Sequence, residues 1–272
     1  MTTAALTRVP SPTEGHYGFR SVARMEWLKL RSVRSTWWTL LVFAAGMIAL
    51  AILVMAQQHW TTMSAADRAS FDPTNNSFVG LIIGQLAIGV LGVLAITTEF
   101  SSGMIRATFA AAPRRPLVLA AKAAVFASVT LAVGEVLAFA AFAAGQAALT
   151  APAPHTALGQ PGVLRAVLMA GAYPALIGLI GLGLGAVIRH AAGAISAVVG
   201  VLFVPQLILI PLGTSIQNAA RQFLPMPIAA NSITAVKPVP HSLPPGLGFA
   251  LLCLYAAAAL AAGTWALARR DA

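Results

Sequence analysis

Ionisable side chains are few in this chain, and their placement limits the chemistry open to it. Between two long apolar runs lies the segment Thr97 to Arg115, where Glu99, Arg106, Arg114 and Arg115 stand beside Ser101 and Ser102. Within it Ile105, Thr108, Phe109 and Ala112 recur at i, i+3, i+4 and i+7, the spacing of one helical face. Ser101-Ser102-Gly103 offers capping hydroxyls at the start. Pro113 ends the helix, because the residue before a proline is pushed out of the helical region. A short amphipathic helix of this kind, carrying an apolar stripe and flanking charges, suits gripping by another protein.

Glu135 is the one acid inside an apolar run. A charged carboxylate facing lipid at mid-depth costs about 2.5 to 3.5 kcal/mol, so it is expected to face other helices. Two readings stay open: a neutral or hydrogen-bonded packing residue, or a residue of a transport pathway. A proton relay would need titratable partners in the other runs, and the sequence offers none.

Catalytic and metal-binding patterns are missing. No Gly-x-x-x-x-Gly-Lys-Ser/Thr loop occurs, so the chain has no phosphate cradle for binding and hydrolysing ATP. His16, His59, His155, His190 and His241 are scattered, with no His-Glu-x-x-His site, no serine hydrolase motif and no acidic pair for acid-base work. The single cysteine, Cys253, lies in an apolar run and reads as a small packing or lipid-facing residue; it excludes an intramolecular disulfide.

The elements that must position these residues follow from composition. Of 272 residues, 58% are hydrophobic and 9% charged, with mean hydropathy +0.83. Soluble domains carry about 25% charged residues, so an all-α polytopic membrane protein is expected. Crossing a hydrocarbon core of about 30 Å takes roughly 20 apolar residues as a helix. Six stretches qualify, near residues 37–56, 78–97, 117–142, 167–188, 194–212 and 247–267. The third continues in alanine-rich sequence to Leu149, and the first, being long enough to span, reads as a retained signal-anchor. Residues 1–18 are expected to be a disordered tail, 19–36 an interfacial helix and 37–272 the six-helix membrane domain, with 98–115 as the grip segment and 213–246 as an external cap.

Of the 17 Lys and Arg residues, only Arg68, Arg165, Arg221 and Lys237 fall on one side of this six-span plan. The positive-inside rule therefore puts both termini and the 98–115 segment in the cytosol, and it accounts for the net charge of +10 without nucleic acid. In the leader, Val22, Ala23, Trp27, Leu30 and Val33 share a sector opposite Arg24 and Arg31, interrupted by Glu26 and Arg34. That suits a helix on the inner leaflet, or else a basic topogenic flank. Residues 57–77 read as a solvated loop; Gly80, Gly84, Gly89 and Gly92, with Gly181 and Gly185, permit close helix approach. Pro205, Gln206 and Pro211 predict a kink, as a hinge or as a static bend. The proline-broken 213–246 region reads as short re-entrant or interfacial helices.

The leader Glu26-Trp27-Leu28-Lys29-Leu30-Arg31-Ser32-Val33-Arg34-Ser35-Thr36-Trp37-Trp38, with Thr97-Thr98-Glu99-Phe100-Ser101-Ser102-Gly103-Met104-Ile105-Arg106 and Pro113-Arg114-Arg115, resembles the permease subunits of type-2 ABC exporters, particularly actinobacterial ones. The resemblance covers most of the chain. It implies a half-transporter in the bacterial cytoplasmic membrane, pairing with a second permease copy as a homodimer and with two copies of a separate ATP-binding subunit that holds ATP and Mg. It further implies that the segment around Glu99 is the coupling helix, with Glu99, Ser101, Ile105, Arg106 and Phe109 meeting the ATPase, joined by Glu26 and Lys29 of the leader. The cargo is expected to be amphipathic and to leave the cell, with Glu135 kept as a candidate for its pathway beside the packing reading. Two other classes compete: a membrane scaffold or sensor that partners an ATPase without transport, and an ion-coupled secondary transporter. The latter predicts inverted repeats with broken or charged helices at the midplane, of which only Glu135 and the Pro205 region give any sign.

Overall fold

The computed structural model describes residues 18–235 and 241–269, so the expected tail up to residue 17, Lys237 and Arg270 lie outside the described residues. Among the described residues twelve α-helices follow one another: α1 (Phe19–Ser32), α2 (Arg34–Ala56), α3 (Ala65–Ser70), α4 (Pro73–Asn76), α5 (Leu81–Ser101), α6 (Met104–Ala111), α7 (Arg115–Ala148), α8 (Val163–Ile188), α9 (Ala191–Leu209), α10 (Thr214–Arg221), α11 (Pro225–Ser232) and α12 (Pro245–Arg269). Among the described residues there is no strand. Six of the helices, α2, α5, α7, α8, α9 and α12, are long and apolar enough to cross a membrane. The chain is an all-α, multi-pass membrane protein.

Most spanning helices run further at one end or both than hydropathy alone marks, while α9 stops at Leu209, short of the expected 212, and α5 starts at Leu81 rather than 78. α5 continues past Thr97 because Thr97 and Thr98 turn their hydroxyls back onto the carbonyls of Val93 and Leu94, at 2.9 and 2.7 Å, and so hide polar atoms within the helix. α7 has 34 residues, about 51 Å at 1.5 Å per residue, and outruns the hydrocarbon core. Its first turns therefore project at the end that also carries α1 and α6, where both can pack on them.

Helix α8 is the central post, touching α5, α7, α9 and α12. Packing helices in lipid gain nothing from expelling water, so close backbone approach has to supply the contact. Glycine makes that approach possible: a Cβ on Gly92 of α5 would stand 2.0 Å from the carbonyl oxygen of Gly178 on α8. On the other flank, a Cβ on Gly134 of α7 would stand 2.2 Å from the Gly171 carbonyl. α8 also contains Pro174, buried against its neighbours, while Pro205 sits inside α9 without ending it. Pro211 lies beyond the end of α9.

At the end opposite α6, the 57–77 connection is not the plain solvated loop its composition suggests. Asp72-Pro73 starts α4 as a capping acid followed by proline at the first helical position, and Asp72 Oδ1 accepts from the amides of Thr74 and Asn75 at 3.0 and 3.1 Å. Its other oxygen accepts from Ala235 N at 2.8 Å, while Asn75 donates to Thr234 at 2.9 Å and Arg165 to the Thr234 carbonyl at 2.8 Å. These bonds tie α4 and the start of α8 to the chain just after α11. In the 213–246 region α10 exposes all its residues to some degree, whereas α11 packs against α12 and α8. Cys253 is exposed on α12.

Candidate functional site

At the α6 end, four helices converge on a buried knot of charge. Glu26 and Lys29, three residues apart on one face of α1, are joined by Glu99 from the last turn of α5 and Lys122 from the second turn of α7. Lys122 Nζ bonds Glu26 Oε2 directly and Glu99 Oε1 at 2.5 Å. Lys29 Nζ reaches Glu26 Oε1 at 2.9 Å, Glu99 Oε1 at 3.1 Å and the Thr108 hydroxyl of α6 at 3.1 Å. Thr108 in turn donates to Glu99 Oε2 at 3.4 Å. Each carboxylate accepts from both ammonium groups, so two negative and two positive charges cancel within the cluster.

Burial makes this arrangement consequential. The Glu26, Glu99 and Lys122 side chains are 2%, 3% and 6% exposed, and Lys29 is 21% exposed. Removing one partner from a buried ion pair costs about 3 to 5 kcal/mol, because the remaining charge is left without compensation. Glu99 carries a second liability, since a carboxylate in a C-terminal turn faces the negative end of the helix dipole. The two lysines offset both. The cluster thus locks α1, α5, α6 and α7 to one another by electrostatics rather than by apolar fit alone.

The short helix α6 stands directly against this knot. Its N-cap is Gly103, in the left-handed region at φ 71° that a side chain rarely adopts, so the chain reverses sharply after α5. Ser102 Oγ accepts from Met104 N at 3.4 Å, and α6 closes one residue short of Ala112-Pro113. The expected stripe exists, but it is turned inward. Ile105, Thr108 and Ala112 are buried against the bundle and Phe109 is half-buried, with the Arg115 guanidinium 5.3 Å from its ring centre. The exposed face of α6 consists of Met104, Arg106, Ala107, Ala110 and Ala111, beside Ser101 at the end of α5.

The residues singled out from sequence therefore divide into two groups. Glu26, Lys29, Glu99 and Ile105, expected as contacts for another subunit, are instead committed inside the chain, because the α1 and α6 faces that carry them are the faces that pack. Ser101 and Arg106 are exposed, and Phe109 is shared between the two environments. On α1 the packing face runs through Val22 and Glu26, so the acid that interrupts the apolar sector marks the buried side, and Trp27 is 46% exposed. Sequence reasoning missed Lys122 as a partner. Its signal was a lone cation more than one turn inside an apolar run, with two acids elsewhere that lacked an obvious mate.

Glu135 lies apart from this cluster, in the middle of α7. Its Oε2 is buried without a hydrogen-bond partner, and a Cβ on Gly171 of α8 would fall 2.7 Å from its carboxyl carbon. The carboxyl is therefore seated in the notch that Gly171 leaves open, with no titratable neighbour to pass a proton to among the described residues. Replacing it tests its role: Glu135→Gln keeps shape and hydrogen-bonding capacity, so transport within two-fold of the unaltered protein assigns it to packing, whereas loss of transport with normal folding assigns it to the pathway.

The family model described as "ABC-2 family transporter protein" matches residues 22–204, which contain every member of the charge cluster and all of α6. No curated relative matches the chain.

Proposed function

The chain belongs to the ABC-2 transporter family, and on that premise we propose that it is driven by ATP hydrolysed in a separate subunit seated on the outer face of α6. As a family member it is a permease component of an ABC transporter, and such permeases work with a separate ATP-binding subunit. In our reading two such subunits, holding ATP and Mg, serve a homodimer of this chain in the bacterial cytoplasmic membrane, with both termini and α6 in the cytosol. The cargo is an amphipathic molecule moved outward.

The observation that carries the reading is the joining of α6 to three other helices through a buried, mutually neutralising ion cluster. A push on an exposed loop dissipates in the loop. A push on α6 is transmitted to α1, α5 and α7, because parting any of them exposes a buried charge. The ATPase thus works on two states that differ in how these helices lean, and its binding energy has to differ between them. Ser101, Met104, Arg106 and Ala107 form the contact surface, while Glu99 and Lys29 act behind it.

Co-expression with an ATP-binding subunit, purification of the complex and reconstitution in liposomes test the reading. Vanadate-sensitive transport that depends on ATP supports it. Transport by the chain alone under an ion gradient contradicts it, and a stable complex that hydrolyses ATP without moving any cargo favours the scaffold or sensor alternative.

A further inference from the structure

A second polar feature lies toward the opposite end of the bundle, where α5 and α8 meet α11. Gln85, on the second turn of α5, is 1% exposed, and Tyr173 of α8 is 2% exposed. The Tyr173 hydroxyl donates to Gln85 Oε1 at 2.6 Å. A glutamine amide also carries two N–H donors. Among the described residues neither finds an acceptor, although both Gln85 and Tyr173 line a cavity of about 200 Å³ that opens to the surface. The amide nitrogen is open to this cavity and free to donate to a guest there.

The rest of the lining decides what could satisfy them. Phe78, Ile82, Met226 and Ile233 make the walls largely apolar, Asn75, also in the lining, donates its amide to Thr234, and no acid or base borders the space. A charged guest would be desolvated there without a counter-ion, which excludes it. A neutral guest with an acceptor oxygen would meet the Gln85 amide and lay its apolar body against the walls. As to size, an apolar cavity of about 150 Å³ holds benzene, so this one takes an aromatic ring together with a carbonyl group and, being open to the surface, leaves room at its mouth for a further ring. We infer that this cavity is a binding site for a neutral, carbonyl-bearing apolar molecule held by the Gln85 amide. The site lies within one protomer and needs no ATP-binding subunit, so it stands or falls separately from the proposed coupling.

Benzophenone, a neutral aromatic ketone that inserts into nearby C–H bonds under near-ultraviolet light, is the probe. Its excited carbonyl takes a hydrogen atom from a neighbouring side chain and the two radicals join, leaving a carbinol adduct that peptide mass spectrometry locates. With the full chain in dodecyl maltoside, adducts are expected on Met226, reduced at least ten-fold by excess acetophenone and within two-fold of the uncompeted level in the same excess of ethylbenzene, which has no acceptor. Gln85→Leu should lower the Met226 adduct about ten-fold, the equivalent of about 1.4 kcal/mol. Gln85→Met, closer in shape, serves if the leucine variant does not fold. Equal competition by ethylbenzene, or adducts spread over lipid-facing positions such as Val136 and Leu168, would overturn the assignment and leave the cavity to water or detergent.

Discussion

Replacing Lys122 by methionine is expected to cost the fold about 3 to 5 kcal/mol, the largest single effect of any substitution at the α6 end, because Glu26 and Glu99 would then share only Lys29. Methionine matches the length and bulk of lysine, so the loss isolates charge from packing. The expected signature is local as well as global. In detergent the thermal midpoint falls, and hydrogen exchange accelerates in α1 and α6, which the cluster holds onto α7. Neutralising one acid at the same time should restore part of the loss: the double variant Lys122→Met/Glu99→Gln leaves Lys29 paired with Glu26 and no surplus negative charge. An unchanged midpoint and unchanged exchange in α1 for Lys122→Met would mean that the four groups are solvated and independent.

A second large effect is expected at the crossing of α5 and α8. Gly92→Val puts a branched side chain where even a Cβ would lie 2.0 Å from the Gly178 carbonyl oxygen. Overpacking a tight core costs about 1 to 3 kcal/mol or more. Here the obstacle is backbone, which cannot rotate away, so the two helices must separate and the effect should reach the upper end. The check is the thermal midpoint beside that of Gly200→Ala, where a Cβ meets nothing within 4 Å. The account expects a large drop for the first and none for the second; equal midpoints would show that the α5–α8 contact carries little of the stability.

How much of this was legible beforehand differs between the spans and the site. The six spanning helices are legible because the requirement behind them is a matter of length and composition that each segment meets alone. The stop at Pro113 is equally local, as is the turn before α6, where Gly103 supplies a left-handed backbone that few other residues tolerate. What the stripe of α6 meets is not local. Ile105, Thr108 and Ala112 mark one face of a helix, and the same spacing serves whether that face packs on its own chain or on a partner. The periodicity identifies a buried face without saying what buries it.

The ion cluster was hidden for a similar reason. Glu26, Glu99 and Lys122 come from three parts of the chain separated by 23 to 96 positions, and each alone looks like a flaw in an apolar pattern or a flank charge. Only their convergence shows that the flaws compensate one another. Gln85 and Tyr173, 88 positions apart, are a second instance, since a glutamine in an apolar run reads as tolerated polarity until its partner is known. The composition of residues 57–77 points to a solvated loop and so masks Asp72-Pro73, a helix-start signal.

The central claim is that the exposed face of α6 receives force from an ATP-binding subunit and that the cluster behind it passes the force on. Arg106 tests it most directly, being exposed on that face and outside the cluster. In proteoliposomes containing the complex, Arg106→Glu should leave the permease's thermal midpoint unchanged while reducing ATP-dependent transport at least ten-fold, through loss of the bound ATPase or through hydrolysis that no longer moves cargo. Normal transport together with full retention of the ATPase in Arg106→Glu, and likewise in Ala107→Trp on the same face, would contradict the claim.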